Sequence, residues 1–469
     1  MAIAITAIFI IGADMLLLWF LAVISLRAIK YSKFNWYMIS YSILKNTLLF
    51  SFILAACGNS ANEKITGDNS NGIVTDSVNK VTVAVSHEIK TGAENYEAYS
   101  PLLKGKKIGI VTNQTGIIPF TYRYTATNED GEDEPAYATD TISIVDFFLK
   151  GNTNVIKIFA PEHGFRGTAD AGELIKDGKD AQTGLPILSL YGDNKKPKPE
   201  QLEGIDVMVF DLQDVGARFY TYISTLHYVM EACAENNIQL IVLDRPNPNG
   251  SIVDGPVLEK EYKSFVGMHP IPVLHGMTIG EYAKMINGEK WLKNGVHCNL
   301  TVVPCLNYTR DMDYHLPIKP SPNLPNSQAI NLYPSLCFFE GTSVSVGRGT
   351  EKQFQIYGSP YLPHNGFSFV PAPNEGAKSP KYNGETCYGK DLASIEQLQK
   401  LELKWLIDAY NTTENKADFF IPFFTKLAGT KKLQQQIEDG ISENEIREQW
   451  KPGLENFRNM RRKYLIYPE

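Results

Sequence analysis

Apolar and polar positions between residues 107 and 304 follow a βα rhythm. Residues 107–112 form a short β run, and 142–149 read as a helix after an acidic insertion around 128–135. Three strand-like runs follow at 155–161, 205–210 and 238–243. Each empties into a loop rich in chemically active side chains: Glu162-His163-Gly164, Asp211-Leu212-Gln213-Asp214, and Asp244-Arg245-Pro246-Asn247-Pro248-Asn249. Helical spacing of Val215, Phe219, Ile223, Leu226, Met230 and Cys233 predicts a long helix after the second run, with Asp214 as N-cap and Asn236-Asn237 at its end. A further helix is predicted over 278–287 and a strand near 300–304. This is the pattern of an α/β, doubly wound, mainly parallel sheet. Ligands bind outside the carboxyl ends of such strands, so the three loops should converge on one crevice.

From about Pro304 the pattern becomes mixed, as expected of a smaller α+β C-terminal domain. Its end is helical, with Ser442-Glu443-Asn444-Glu445 as a capping box and Ile441 placed to staple onto Ile446. Glycines in the run 340–350 bring backbone close to something, and Arg348 between two of them is a candidate ligand contact.

The N-terminus is set apart from the fold. Leu54-Ala55-Ala56-Cys57-Gly58, preceded by Lys45 and the apolar run 47–56, resembles a bacterial lipobox, with Cys57 as the acylated residue. A chain starting at Met38 would carry a complete lipoprotein signal, so residues 1–37 are expected to come from an upstream start, the alternative being a transmembrane helix interrupted by Asp14. Residues 58–72 are mostly Asn, Ser, Gly and charged side chains with little to bury, which reads as a flexible tether. The expected division is a leader at 1–57, a tether at 58–86, a Rossmann-like catalytic domain at 87–303 and a C-terminal domain at 304–469 that completes the substrate cleft. The mature protein should be extracytoplasmic, lipid-anchored to a bacterial membrane.

Composition narrows the chemistry. The chain is 43% hydrophobic with a formal net charge of -7, which argues against general nucleic-acid binding. Apart from Cys57 there are five cysteines, an odd count, and Cys298 and Cys305 bracket an extended run that would hold them roughly 23 Å apart. Buried thiols are expected, not a disulfide framework. The first β run leads into Asn113-Gln114-Thr115-Gly116, without G-x-G-x-x-G, and there is no P-loop and no G-x-S-x-G elbow. The eight histidines lack metal-ligand spacing, so a site built from His163, Asp211 and His275 has no motif behind it, and neither cofactor nor metal is expected. Each acidic loop has a plain structural account, Asp214 pairing with Arg218 and Asp244 with Arg245. Acids in all three loops at one sheet edge are harder to explain that way.

Several runs carry a resemblance: Phe159 to Gly167 (FAPEHGFRG), Thr183-Gly184-Leu185-Pro186, Ser189-Leu190-Tyr191-Gly192, and Phe210 to Tyr222 (FDLQDVGARFYTY). So do Leu243 to Pro248 (LDRPNP), His275 to Glu281 (HGMTIGE), Pro320-Ser321-Pro322-Asn323, Glu340-Gly341-Thr342 and Gly347-Arg348-Gly349-Thr350. From about Lys90 to the C-terminus the chain resembles the NamZ-type exo-β-N-acetylmuramidases. Departures are Ile318-Lys319, where an aromatic-containing run is expected, and Gln353, where a proline is usual.

The resemblance implies a Rossmann-like domain with a smaller C-terminal domain, cleaving terminal β-1,4-linked N-acetylmuramic acid from non-reducing ends of peptidoglycan fragments. By motif position Glu162 is the general acid, with His163, Asp211 and Asp214 as further catalytic candidates. Asn113, Arg166, Arg218, Tyr222, Asp244, Arg245, Asn247, His275, Asn323, Glu340 and Arg348 are the substrate-binding candidates. Glycoside hydrolysis needs a second group beside the acid. Asp211, Asp214 and the substrate's own 2-acetamido group all remain open for that part. An enzyme that selects muramic acid should present a cation to the lactyl carboxylate, and arginine's planar fork suits it. With Arg218 and Arg245 paired locally, Arg166 and Arg348 are freer, and Arg348 is the choice. The expected partners are a peptidoglycan-derived glycan or muropeptide and, through Cys57, a membrane. The alternative is a non-catalytic lipoprotein that binds muropeptides or another sugar in the same cleft.

Overall fold

Seven of the strand-forming runs assemble into one sheet, whose order follows from how each run is linked to the next. The computed structural model describes residues 88–127, 133–166, 173, 177–364 and 366–468. The leader, the tether, Cys57 and part of the acidic insertion lie outside the described residues. Strand β1 (Lys107–Thr112) is central. A hairpin of β2 (Ile117–Thr127) and β3 (Asp133–Ser143) follows, then helix α1 (Ile144–Lys150), β4 (Asn154–Ala160), the short β5 (Gly178–Lys179) and β6 (Pro186–Ser189). The chain then crosses to the other side of β1 with β7 (Val207–Asp211), α2 (Tyr222–Glu235) and β8 (Gln239–Leu243). After a two-stranded ribbon, β9 (Val253–Asp254) with β10 (Leu274–His275), come α3 (Ile279–Gly288) and β11 (Leu300–Val303). The spatial order is β11-β8-β7-β1-β4-β6-β5, parallel throughout except for β5. Three strands lie on each side of β1, the doubly wound Rossmann-like arrangement, and the switch point lies at the β1/β7 junction, where Thr112 pairs with Asp211.

Both faces of the sheet are covered, which is why its strands read as continuous apolar runs. Along β7, Val207 and Val209 enter one core with Phe148 of α1 and Ile158 of β4. Met208 and Phe210 enter the other, with Leu226 of α2 and Tyr282 of α3. This second core runs without a break into the C-terminal part, through Phe338, Trp405 and Leu454. Truncating a ring such as Phe210 to alanine would cost about 3–5 kcal/mol.

The C-terminal part contributes α4 (Ser327–Leu336), N-capped by Asn326, and the antiparallel sheet β12-β14-β13 (Ile356–Ser359, Cys387–Asp391, Phe367–Phe369). Its last long helix, α5 (Glu443–Arg461), starts on the Ser442/Glu445 capping box expected from the sequence. Cys233, Cys298, Cys305, Cys337 and Cys387 are buried free thiols.

One expected element starts later than its periodicity suggests. Residues 215–221 are not helical, and Asp214 is no N-cap, because the segment is used in pairing. Gly216 adopts φ +75°, a left-handed conformation that favours glycine. The Arg218 amide then donates to the Val273 carbonyl at 2.8 Å, and Ala217 bridges Leu274. Helix α2 begins only at Tyr222, after Thr221.

Candidate active site

At the end of β4 the chain must reverse within three residues. His163 (φ +72°) and Gly164 (φ +77°) are both left-handed, and the Gly164 amide closes the turn on the Pro161 carbonyl at 3.0 Å. A positive φ at a histidine is uncommon and disfavoured. The reversal turns Glu162 into a cleft of about 760 Å³. There its carboxylate accepts the Thr221 hydroxyl at 2.7 Å, at the residue preceding α2. The Tyr191 hydroxyl also bonds to Glu162; burial first, and then the Glu162 charge, raises the Tyr191 pKa well above the usual phenol value.

The lining also draws on residues beyond 304, among them Ser321, Asn323, Glu340, Arg348 and Lys381. Arg348, expected to be freer, is paired as well: it donates from Nε to Glu340 at 2.6 Å and lies over the Phe354 ring at 5.1 Å. Burial works against its charge, but the Glu340 carboxylate outweighs that and holds the Arg348 pKa above its ordinary value. Lys381 donates to the Thr342 and Val344 carbonyls at 2.5 and 3.1 Å, and burial lowers its pKa. Of the candidates, Glu162, His163, Tyr222, Asn323, Glu340 and Arg348 line the cleft. Asn323 is fixed by donating to the Gly376 carbonyl at 2.7 Å.

The other candidates lie outside that lining, each held by a partner. Arg245 grips Asp211 through two nitrogens at 2.6 and 2.9 Å, both side chains buried. Arg245 therefore pairs with Asp211 and not with its neighbour Asp244. Asp244 instead anchors α3, accepting Thr278 Oγ1 and the Gly280 amide at 2.7 Å each and the Tyr467 hydroxyl at 2.6 Å. Burial pushes its pKa up to about 6. Arg218 does not pair with Asp214. Its guanidinium is buried and donates to four carbonyls, those of Pro256, Ile271, Leu427 and Ala428, at 2.7–2.8 Å. Asn247 holds the Met277 carbonyl at 2.9 Å and the Asn249 amide at 2.8 Å. Asn113 shapes its own turn through Thr115 and donates to the Tyr222 hydroxyl at 2.6 Å. Arg166, expected to be freer, pairs with Asp180 at 2.5 Å.

Asp214 and His275 form a buried pair, Oδ2 to Nε2 at 3.8 Å. Burial pushes Asp214 up to about 7 and His275 down to about 3, so each favours its neutral form. Asp214 Oδ2 accepts the Gly216 amide at 2.7 Å, whereas Asp214 Oδ1 and His275 Nε2 are buried without a hydrogen-bond partner. Among the described residues no three His, Cys, Asp or Glu side chains converge as metal ligands, so His163, Asp211 and His275 do not meet.

Sequence reasoning missed Tyr191, Thr221 and Lys381. The first two sit inside quoted motifs, Ser189-Leu190-Tyr191-Gly192 and the run ending in Tyr220-Thr221-Tyr222, and that was the available signal. Lys381 sits in no motif.

Comparison with known proteins places this geometry in a family. Residues 108–328 match the family model described as exo-β-N-acetylmuramidase NamZ, N-terminal, and residues 331–467 match its C-terminal counterpart. The chain is 37% identical over 412 residues to the peptidoglycan β-N-acetylmuramidase NamZ of Bacillus subtilis (strain 168), an alignment spanning 83% of this chain and 94% of that protein. Two solved structures of DUF1343 family proteins from Bacteroides fragilis NCTC 9343 are similar. One, at 43% identity, has a TM-score of 0.72 over 82% of this chain and 100% of its own. The other, at 30% identity, has a TM-score of 0.65 over 81% and 99%.

Proposed function

The chain belongs to the NamZ family of exo-β-N-acetylmuramidases, and on that premise we propose how its cleft performs the reaction. The protein is a peptidoglycan glycosidase that releases terminal β-1,4-linked N-acetylmuramic acid from non-reducing ends. Glu162 is the general acid that protonates the leaving oxygen. The observation that carries this assignment is its setting: a carboxylate turned into the cleft by a left-handed His163-Gly164 reversal and held by the hydroxyls of Thr221 and Tyr191. Thr221 and Tyr191 fix its rotamer, so the proton is delivered from one position.

The second group of the reaction is the substrate's own 2-acetamido oxygen. Asp211 is locked by Arg245 and Asp214 is outside the cleft lining. Of the other lining carboxylates, Glu340 pairs with Arg348 and Glu173 with Lys378 at 2.7 Å. The acetamido oxygen bonds to the anomeric carbon as the glycosidic C–O bond breaks and Glu162 gives its proton to the leaving oxygen; water then adds at the same carbon, losing a proton to Glu162 and restoring the acetamido group, with net retention.

The testing experiment is release of free N-acetylmuramic acid from a chromogenic β-muramide, with the product anomer followed by NMR. Wild-type protein should release the β-anomer first. Glu162→Gln keeps the shape and removes the proton, and should lose roughly 10²- to 10⁴-fold in turnover. More than about a tenth of wild-type turnover in that variant would remove Glu162 from the role.

We further propose that Cys57 is acylated and tethers the enzyme outside the cytoplasm, on the strength of the Leu54-Ala55-Ala56-Cys57 motif and the polar tether after it. Among the described residues no helix is long and apolar enough to cross a membrane. A Cys57→Ser protein should fail to label with a fatty-acid probe; continued labelling would refute the lipobox.

A further inference from the structure

The β2–β3 hairpin is an arm of eleven residues on each strand, about 35 Å long. Its root is tied to Pro320, which adjoins the lining residue Ser321, and to the buried Asp211–Arg245 pair behind the cleft. Gln114, just before β2, donates to the Pro320 carbonyl at 3.2 Å, and Arg245 of the Asp211–Arg245 pair donates to the Ile117 carbonyl at 3.3 Å. The arm therefore springs from the same carboxyl edge of the sheet as Glu162. Alternate residues of β2 share one face. Ile118 starts that face in the core, and Phe120, Tyr122 and Tyr124 continue it outward as a row of rings at 5.8 and 6.2 Å spacing. Opposite Tyr122 and Tyr124 on β3 stand only the small side chains of Ala138 and Ala136, while the Lys150 ammonium lies 5.9 Å from the Phe120 ring at the base of the row. Tyr122 and Tyr124 are 44% and 45% exposed.

A lone two-stranded ribbon is marginal in water, and an exposed aromatic row on one marks a contact surface. The row is one ring wide and flanked by alanines. An ordinary protein interface needs about 800 Å² of continuous surface per partner, which such a row does not offer. Its rings are amphipathic, apolar on the faces with a hydroxyl at the edge, which matches the faces of pyranose rings. The cleft, at about 760 Å³, is of the size that encloses one small ligand, whereas the substrate is a polymer that loses one sugar at a time from its end.

We propose that the Phe120-Tyr122-Tyr124 face of the arm is an auxiliary glycan-binding surface that stacks on N-acetylhexosamine rings of the peptidoglycan strand beyond the cleft. The proposal rests on the muramidase reading for its ligand but predicts binding that needs no catalysis. The test uses Tyr122→Thr/Tyr124→Thr, because threonine keeps β propensity while removing the rings, and Tyr122→Phe/Tyr124→Phe, which keeps them. Two readouts are taken: co-sedimentation with insoluble peptidoglycan, and kcat/KM on a small chromogenic muramide and on peptide-free glycan strands. The Thr pair should lose about tenfold or more in co-sedimentation and in kcat/KM on strands, the latter through KM, corresponding to about 1.4 kcal/mol or more. It should stay within about twofold of wild type on the small muramide, and the Phe pair should resemble wild type throughout. Unchanged strand binding, or equal losses on both substrates, would overturn the proposal. So would a dimer of the wild-type protein that the Thr pair converts to monomer, since a second copy would then occupy the face. If wild type binds peptidoglycan through the arm but leaves the muramide intact, the catalytic reading fails and the arm's role stands.

Discussion

Arg348 lines the cleft with its Nε already held by Glu340 at 2.6 Å, so its pose is set before substrate arrives. A pre-positioned planar cation in the cleft that holds Glu162 suits the lactyl carboxylate that distinguishes muramic acid from glucosamine. Arg348→Met should lower kcat/KM on a β-muramide by roughly 10- to 150-fold, the worth of a charge-assisted pair at about 1.5–3 kcal/mol. Any residual cleavage of the matching glucosaminide should fall far less; an equal loss on both would mean that Arg348 only holds its loop. Lys381, the cation beside it, spends hydrogen bonds on the Thr342 and Val344 carbonyls. Lys381→Met should therefore act on both substrates alike, and a muramide-selective loss would move the lactyl contact from Arg348 to Lys381. At this scale the sequence was legible only as residue types. That Arg218 would meet four carbonyls, and Arg245 would meet Asp211 thirty-four positions away, depends on which strand ends lie side by side. Nearest-neighbour pairing along the chain, Asp214 with Arg218 and Asp244 with Arg245, pointed elsewhere.

Elements were easier to read where burial on both faces leaves an uninterrupted apolar run. The strands at 107–112, 154–160 and 239–243 fall within a residue or so of their apolar runs. Helix α2 shows where periodicity misleads. Val215 and Phe219 fit its apolar stripe, yet both are buried in a turn-rich segment whose Ala217 and Arg218 pair with residues 273–274. Gly216, left-handed at φ +75°, diverts the chain there, and a lone glycine does not announce its conformation. The β2–β3 arm was hidden for the opposite reason, since an exposed ribbon has little apolar patterning. Arg218 ties the non-helical segment to distant parts of the chain, donating to the carbonyls of Pro256 and Ile271 and to those of Leu427 and Ala428 in the C-terminal part. Arg218→Met would leave four buried carbonyls short of donors, at a cost of about 3 kcal/mol or more. Denaturant unfolding should show that loss as a lower midpoint, while the fraction still folded should retain near-normal KM. A KM change without a stability change would instead place Arg218 in contact with substrate.

Across the whole molecule, buried ionisable groups set opposing dependences on pH. Asp214 and Asp244 are raised to about 7 and about 6, chiefly by burial. Each holds its proton more tightly folded than unfolded, so its contribution is fully present below about pH 4 and is lost as pH rises through 6 to 7. His227 and His275 are lowered to about 4 and about 3, again chiefly by burial. Their contribution is present above about pH 6.5 and is lost as pH falls toward the folded values. Between about pH 4 and 6.5 the two sets act against each other, which should flatten the stability profile there. Asp214→Asn removes one acid from this balance while keeping a similar shape against the Gly216 amide. Wild-type protein should therefore lose stability relative to the variant as pH is raised from 5 to 8, by roughly 2–3 kcal/mol, the part of the shift that lies above pH 5. Urea midpoints for both proteins at the two pH values measure it directly. A difference that stays constant, or that grows in favour of wild type at pH 8, would mean that Asp214 is already ionised in the fold, with His275 protonated beside it.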